Sequence, residues 1–411
     1  MKQCLLSLFL ILSKTLIQGS IEILVEDDGV MTTANSVFVG TNEELQVLQI
    51  CLNSPDLVII DEKCKKASEP CKKLCKNDVF CRSFCNPICC LSSEIIEKQC
   101  AEAAGGYSLN STKLSVLKGF WRSPNDLAIG IWAQDEIFVE DWNDNRRSLG
   151  LIKFALKVIG SVYHDPLTAT IIGQLGLGRD PHKRNIIQTM AERGIIEEEL
   201  LTVEQTSEHY ASYIFGRYNG VACNTDRKSI DVIGDYEWMF DATAAAFFDY
   251  ESHSHPFRII LEVGGLTRMP RGVLLSFIES KLLYQEDNEL HNHYVVNHTR
   301  RDDNFKFYFN ATNNFTLQYS LESLAIAWPH PEDFSVILAA ALDPNPDNVE
   351  WIIGRPLFMS YCVALDYKND KLWFASYNEN NEDDDDGHDD DEEHDNDGEP
   401  DNDGKDKHDE V

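Results

Sequence analysis

Beyond its first residues the chain has no long hydrophobic run. No stretch after Ile11 approaches the roughly 18 consecutive apolar residues that a spanning helix requires, so no membrane insertion is expected. Positive charge is scarce: 36 Lys and Arg stand against 69 Asp and Glu, for a net charge of -33 over 411 residues. No nucleic-acid partner is expected of that balance. Helical periodicity is also rare, and only Asn185 to Gly194 and Arg271 to Leu283 carry apolar residues at helical spacing. The segment from Glu379 to Val411 has almost no apolar side chains. It holds 19 acidic residues against Lys405 and Lys407, a net of -17 that leaves -16 for the rest of the chain. It cannot bury enough surface to offset its ordering entropy, and residues 377–411 are expected to form a disordered acidic tail.

What is present points to the secretory pathway. Lys2, the apolar run Leu5 to Ile11 and the small residues Gly19 and Ser20 have the layout of a cleavable signal over residues 1–20. Asn-x-Ser/Thr triplets at Asn110, Asn297, Asn310 and Asn314 can accept glycans only in the endoplasmic reticulum lumen and beyond. The chain ends in His408-Asp-Glu-Val411, one residue away from a retrieval signal of that compartment. An extracellular or lumenal location is therefore expected.

Of the 12 cysteines, removal of Cys4 with the signal leaves 11, so at least one thiol is left over from intrachain pairing. Eight crowd into one segment: Cys64, Cys71, Cys75, Cys81, Cys85, Cys89, Cys90 and Cys100. The Cys71/Cys75 and Cys81/Cys85 spacings each set two sulfurs on one helix face, which suggests a small disulfide-locked hairpin within residues 64–100. That run contains no His, so disulfides are favoured over zinc. Lys63, Lys65, Lys66, Lys72, Lys73, Lys76 and Arg82 make the same segment basic on an otherwise acidic molecule. Cys223 and Cys362 remain to pair with each other, which leaves Cys51 as the odd thiol.

Short β-rich runs separated by turn residues recur along the chain. Ile21 to Val25, Ser36 to Val39 and Leu45 to Ile50 come first; Phe257 to Leu261, Phe305 to Phe309, Phe315 to Tyr319, Ser335 to Leu338 and Val363 to Leu365 follow. Two sets of strands in similar-sized halves imply an all-β body of two packed lobes, over residues 21–199 and 200–376.

The order of several segments resembles the pepsin family of aspartic proteases. Trp351-Ile-Ile-Gly-Arg-Pro-Leu-Phe, followed by Val363, Leu365, Asp366, Leu372 and Phe374, is similar to its C-terminal strands. Ser36-Val-Phe-Val-Gly-Thr41 resembles its entry to the first lobe, Ala128 to Asp135 the strand after the flap, and Ile171-Ile-Gly-Gln-Leu-Gly-Leu-Gly178 the glycine-rich loop closing the first half of the active site. The resemblance implies a bilobal pepsin-like fold with a cleft between the lobes.

It also implies a catalytic floor that this chain does not carry. The family needs two Asp-Thr-Gly or Asp-Ser-Gly triplets, and the sequence contains neither version. Aligning Gln49-Ile-Cys-Leu-Asn-Ser-Pro-Asp-Leu57 places Cys51 at the first Asp position, with Ser54, Asp56 and Leu57 matching downstream. Arg258 to Pro270 places Glu262 at the second after a one-residue deletion, whereas an ungapped fit places Leu261 there. The flap tyrosine position falls on Ser123, with Trp121 the nearest aromatic. No catalytic residue, cofactor or specific metal site is then expected. The expected function is non-catalytic binding of an extended peptide or protein in the cleft. The alternatives are an active pepsin-like endopeptidase, and a calcium-buffering or scaffolding protein acting through the tail and insert. The carboxylate runs Asp383 to Asp386 and Asp389 to Glu393 lack the ligand spacing of a calcium loop, so tail binding of calcium would be weak.

Overall fold

The strands expected from period-two patterning form, and they close on themselves in a repeated way. The structure is a computed structural model and describes residues 19–27, 32–61, 106–123, 129–159, 173–207, 209–219, 221–247, 250–253, 256–264, 267–280, 283–285, 293–297, 304–308, 316–320, 325–326, 334–342 and 349–378. A compact unit ends at Tyr377; of the segment that follows, only Asn378 is among these residues. The cysteines from Cys64 to Cys100, Asn310, Asn314, most of the signal region and the acidic tail lie outside them.

The first half contributes β1 (Ile21–Asp27), β2 (Thr32–Val39), β3 (Glu44–Cys51), β4 (Leu57–Ile60), β5 (Ser115–Arg122), β6 (Ile129–Glu140), β7 (Arg146–Ile159), β8 (Gly173–Gly176), β9 (Leu200–Gln205) and β10 (Tyr210–Phe215). In β1, Ile21, Ile23 and Val25 are buried while Leu24 and Glu26 face out, the alternation of a strand with one covered face. β4, by contrast, reads Leu-Val-Ile-Ile and is buried throughout, as a central strand should be. All ten join one thirteen-stranded sheet, and Lys228–Asp231, Cys362–Asp366 and Lys371–Ala375 complete it. Cys362–Asp366 thus pairs with β9, and Lys371–Ala375 lies between it and Lys228–Asp231, so the last strands of the chain join this sheet and not the other second-half sheets. Their sequence Cys-Val-Ala-Leu-Asp is buried at every position, which only an interior strand permits.

Each half contains the same crossing. β3 runs parallel to β8, β8 antiparallel to β4, and β4 parallel to β7. In the second half Phe257–Leu261 runs parallel to Val349–Ile353, which meets Thr267–Pro270 antiparallel, and Thr267–Pro270 runs parallel to Phe334–Leu342. Chain order is the same in both. This all-β architecture agrees with the sequence reading.

Among the described residues the helices are short. α1 (Ile186–Glu192) begins with Asn185, whose side chain accepts from the Gln188 N–H while Gln188 reaches back to the Asn185 N–H, a reciprocal cap legible as Asn-x-x-Gln. The helix Arg271–Glu279 stops earlier than its pattern suggests, because Leu283 pairs with Val296 in a strand. A third helix, Arg355–Ser360, was not read from sequence; at six residues it is too short to show a period, although Pro356 sits in its first turn. Among the described residues no helix is long and apolar enough to cross a membrane.

Three contacts hold the ends together. Cys223 and Cys362 form the expected disulfide, closing 139 residues of chain. Beyond the cysteine-rich insert the chain rejoins the body at Tyr107, whose N–H donates to Ile60 O at 2.7 Å and whose hydroxyl donates to the buried Asp135 carboxylate. Arg355 forms an ion pair with Asp27 at 3.3 Å, both side chains 5% exposed. Removing one partner of a buried pair leaves a charge in low dielectric, so Arg355→Met should lower stability by about 3–5 kcal/mol. Asp27→Leu combined with Arg355→Met should recover most of it, as read from chemical denaturation midpoints; a single variant as stable as the parent would refute the pairing.

Candidate functional site

The crossing in the first half brings the turn after β3 against the loop after β8. Leu177 N–H donates to Cys51 O at 2.7 Å, and Gly178 N–H donates to Ser54 O at 2.8 Å. Cys51 stands opposite Gly176 in the parallel ladder. Its thiol is buried and contacts Asn53 Oδ1 at 2.7 Å, while Leu52 packs into the main core.

In the second half the ladder pairs Leu261 with Ile353, and the next step is continued by Glu262 N–H donating to Ile353 O at 2.9 Å. That bond sets Glu262 across from Gly354, as Cys51 is set across from Gly176. A Cβ on Gly354 would lie 2.9 Å from Gly264 O and 3.0 Å from Glu262 O, so only glycine lets the turn sit this close. Leu261 is 1% exposed within the core, and Val263 belongs to the same cluster. Glu262 is half-buried. Burial pushes its carboxyl above the ordinary glutamate range, and the Arg268 charge only partly opposes this.

Beside the first turn lies a polar contact that sequence reasoning missed. Trp121 at the end of β5 donates from its indole N–H to Asp56 Oδ2 at 2.8 Å, and Lys183 Nζ stands 3.3 Å from the same carboxylate. Both Trp121 and Asp56 are buried. Sixty-five positions and the whole insert separate them, so no local signal could have paired them. Ser123 is buried at the base of the same strand, and the residues immediately after it lie outside the described set. The loop after β8 is held from the second half, where Tyr367 donates to Leu177 O at 2.7 Å and Trp238 approaches the same oxygen at 3.4 Å, and from its own half, where Asn185 donates to Gly178 O at 2.9 Å. Trp238 and Tyr367 meet edge to face with centroids 4.9 Å apart.

Of the glycan acceptors, Asn110 is exposed; Asn297 ends a described strand, with its side chain outside the described set. Among the described residues no group of three or more His, Cys, Asp or Glu is placed to hold a metal ion.

Two β halves with the same crossed strands, each presenting a turn at the end of a parallel strand, define the bilobal class of acid proteases and their homologues. The sequence model of the eukaryotic aspartyl protease family matches residues 121–377, more than half of the chain, and the chain belongs to that family. The match begins at Trp121, so the β3 turn with Cys51 precedes it. Comparison with curated proteins returned no match.

The raised Glu262 carboxyl gives a signed pH effect. A carboxyl that holds its proton to higher pH in the folded state than in the unfolded state weakens the fold as pH rises through its range. Glu262→Gln should therefore be more stable than the parent at neutral pH, with the difference vanishing below the ordinary value of 4.5. A thermal-midpoint difference independent of pH would show that burial does not perturb this group.

Proposed function

We propose that this chain is a non-catalytic member of the aspartyl protease family that holds an extended peptide or protein segment in the cleft between its lobes, within the secretory pathway. The observation that carries the reading is the missing pair of aspartyl triplets: the sequence has neither Asp-Thr-Gly nor Asp-Ser-Gly. Cys51 and Glu262 stand at the two floor positions. Supporting this over a register with Leu261 is the ladder, in which Cys51 faces Gly176 and Glu262 is hydrogen-bonded one step beyond the Leu261/Ile353 pair.

The family reaction needs two carboxylates about 3 Å apart that share one proton, one acting as base on water and the other as acid on the scissile carbonyl. A thiol titrates roughly four units above a glutamate, so the two cannot share a proton as near-equal acids. Each lost acid or base function removes on the order of 100 to 10,000-fold in rate. The disulfide between Cys223 and Cys362 fits an oxidising compartment.

Purified protein incubated with denatured haemoglobin at acidic pH, with and without pepstatin, should give no pepstatin-sensitive cleavage. Cleavage that pepstatin abolishes would overturn the reading and identify an active endopeptidase.

A further inference from the structure

The outer face of the first half carries a second groove. The β2/β3 ladder shifts register between Ala34 and Val37, and Asn35 and Ser36 occupy the irregularity. Such bulges re-aim side chains and break pairing. Against it opens a cleft of about 490 Å³, whose lining includes Glu22, Leu24, Ser36, Asp141, Trp142 and Asp144.

Three features of this cleft point to a ligand. Ser36 is only 9% exposed, and its hydroxyl has no hydrogen-bond partner in the fold. An orphaned buried hydroxyl is destabilising unless something arrives to bond it. Trp142 and Leu24 are the opposite case: they are 63% and 49% exposed, large apolar surfaces turned to solvent beside the opening. The turn bearing Trp142 is nonetheless rigidly specified. Trp142 N–H donates to Glu22 O at 3.1 Å, and Asp141 Oδ1 accepts from the N–H groups of Asn143 and Asn145, both at 3.0 Å.

The charge is selective as well. Glu140 is paired with Arg146 and Asp141 with Arg147. Among the described residues Glu22 and Asp144 have no basic partner within ion-pair distance; Glu22 is positioned instead by the Ser212 hydroxyl at 2.6 Å. An indole face, two uncompensated carboxylates and a buried hydroxyl acceptor together suit a planar cation with several N–H donors on an apolar stem. Lysine, a compact point charge, uses such a set less well than a guanidinium.

We propose that this groove binds an arginine-bearing peptide segment of another protein, with the guanidinium stacked on Trp142, bonded to Glu22 or Asp144 and to the Ser36 hydroxyl, and its stem laid over Leu24. The site does not depend on the cleft reading. β6 runs from Gly130, which pairs with Trp121, to Glu140 beside this groove, and ten strand residues span about 33 Å.

The test uses the whole secreted protein and an acetylated, amidated octapeptide of alternating alanine and arginine, with glutamate replacing arginine in the control, titrated by calorimetry. The arginine peptide should bind, more weakly at high salt, and the glutamate peptide should not. Trp142→Ala and Ser36→Ala should each weaken binding about tenfold or more. Without peptide, Ser36→Ala should leave the thermal midpoint unchanged or raised, since it removes only an unbonded hydroxyl. Absence of binding, equal binding of the glutamate peptide, undiminished binding to Trp142→Ala, or a lowered midpoint in Ser36→Ala would each overturn the proposal. A peptide held in the cleft between the lobes would be indifferent to Trp142→Ala, so this result is separable from the protease assay.

Discussion

At Gly176 a Cβ would stand 2.3 Å from Asp56 O and 2.6 Å from Ser54 O, and at Gly178 one would stand 2.5 Å from Ser54 N. Real side chains do not tolerate such distances, so the loop after β8 can press on the turn after β3 only as glycine. The rest of the site is built on that contact. With the two backbones so close, Leu177 and Gly178 donate to Cys51 and Ser54, and the Leu177 carbonyl is left pointing to the second half, where Tyr367 and Trp238 take it up. Gly354 performs the same service for the turn after Glu262. A floor of this kind is backbone against backbone, and it does not require any particular side chain at the positions it presents.

That independence would let the architecture persist with the groups proposed for its floor. Two ionisable carboxylates held together are a liability to the fold, since like charges at short range resist burial. On the proposed assignment, a thiol and a single half-buried glutamate at the floor relieve that repulsion and leave a desolvation cost at Glu262. Leu52 and Val263, next to those positions in the chain, join the hydrophobic core and add ordinary burial where polar residues would need partners. Under the proposed reading such a site trades chemistry for packing, and the fold is not the link that suffers.

Sequence patterning revealed most of this architecture and left specific parts hidden. Alternation found β1, β2 and β3, and the Asn185/Gln188 cap marked α1, because these signals are local. Elimination among the cysteines reached Cys223–Cys362. The apolar period of the helix continues to Leu283, but strand pairing with Val296 overrides that propensity. The contacts of Trp121 with Asp56 and of Arg355 with Asp27 join distant positions with no shared pattern. Register between Leu261 and Glu262 is likewise a property of the ladder, which a gapped or ungapped alignment cannot decide.

Charge follows the same division between local and global. Much of the acidity on the body is met nearby: Arg146 bridges Glu43 and Glu140, Arg179 meets Asp370, and Arg184 reaches Glu192 and Glu199. Such exposed pairs each contribute at most about 1 kcal/mol to stability, so their main effect is to cancel field where they sit. The net charge of -16 outside Glu379 to Val411 is then felt where carboxylates lack a basic neighbour. Screening confines that field to about 8 Å at physiological salt, a range over which it can raise the encounter rate of cations but not choose among them. Choice has to come from shape and hydrogen bonding at short range. The bulge in β2 supplies both in one place, because the same irregularity that unpairs Ser36 from the ladder also opens the space that a donor would have to enter.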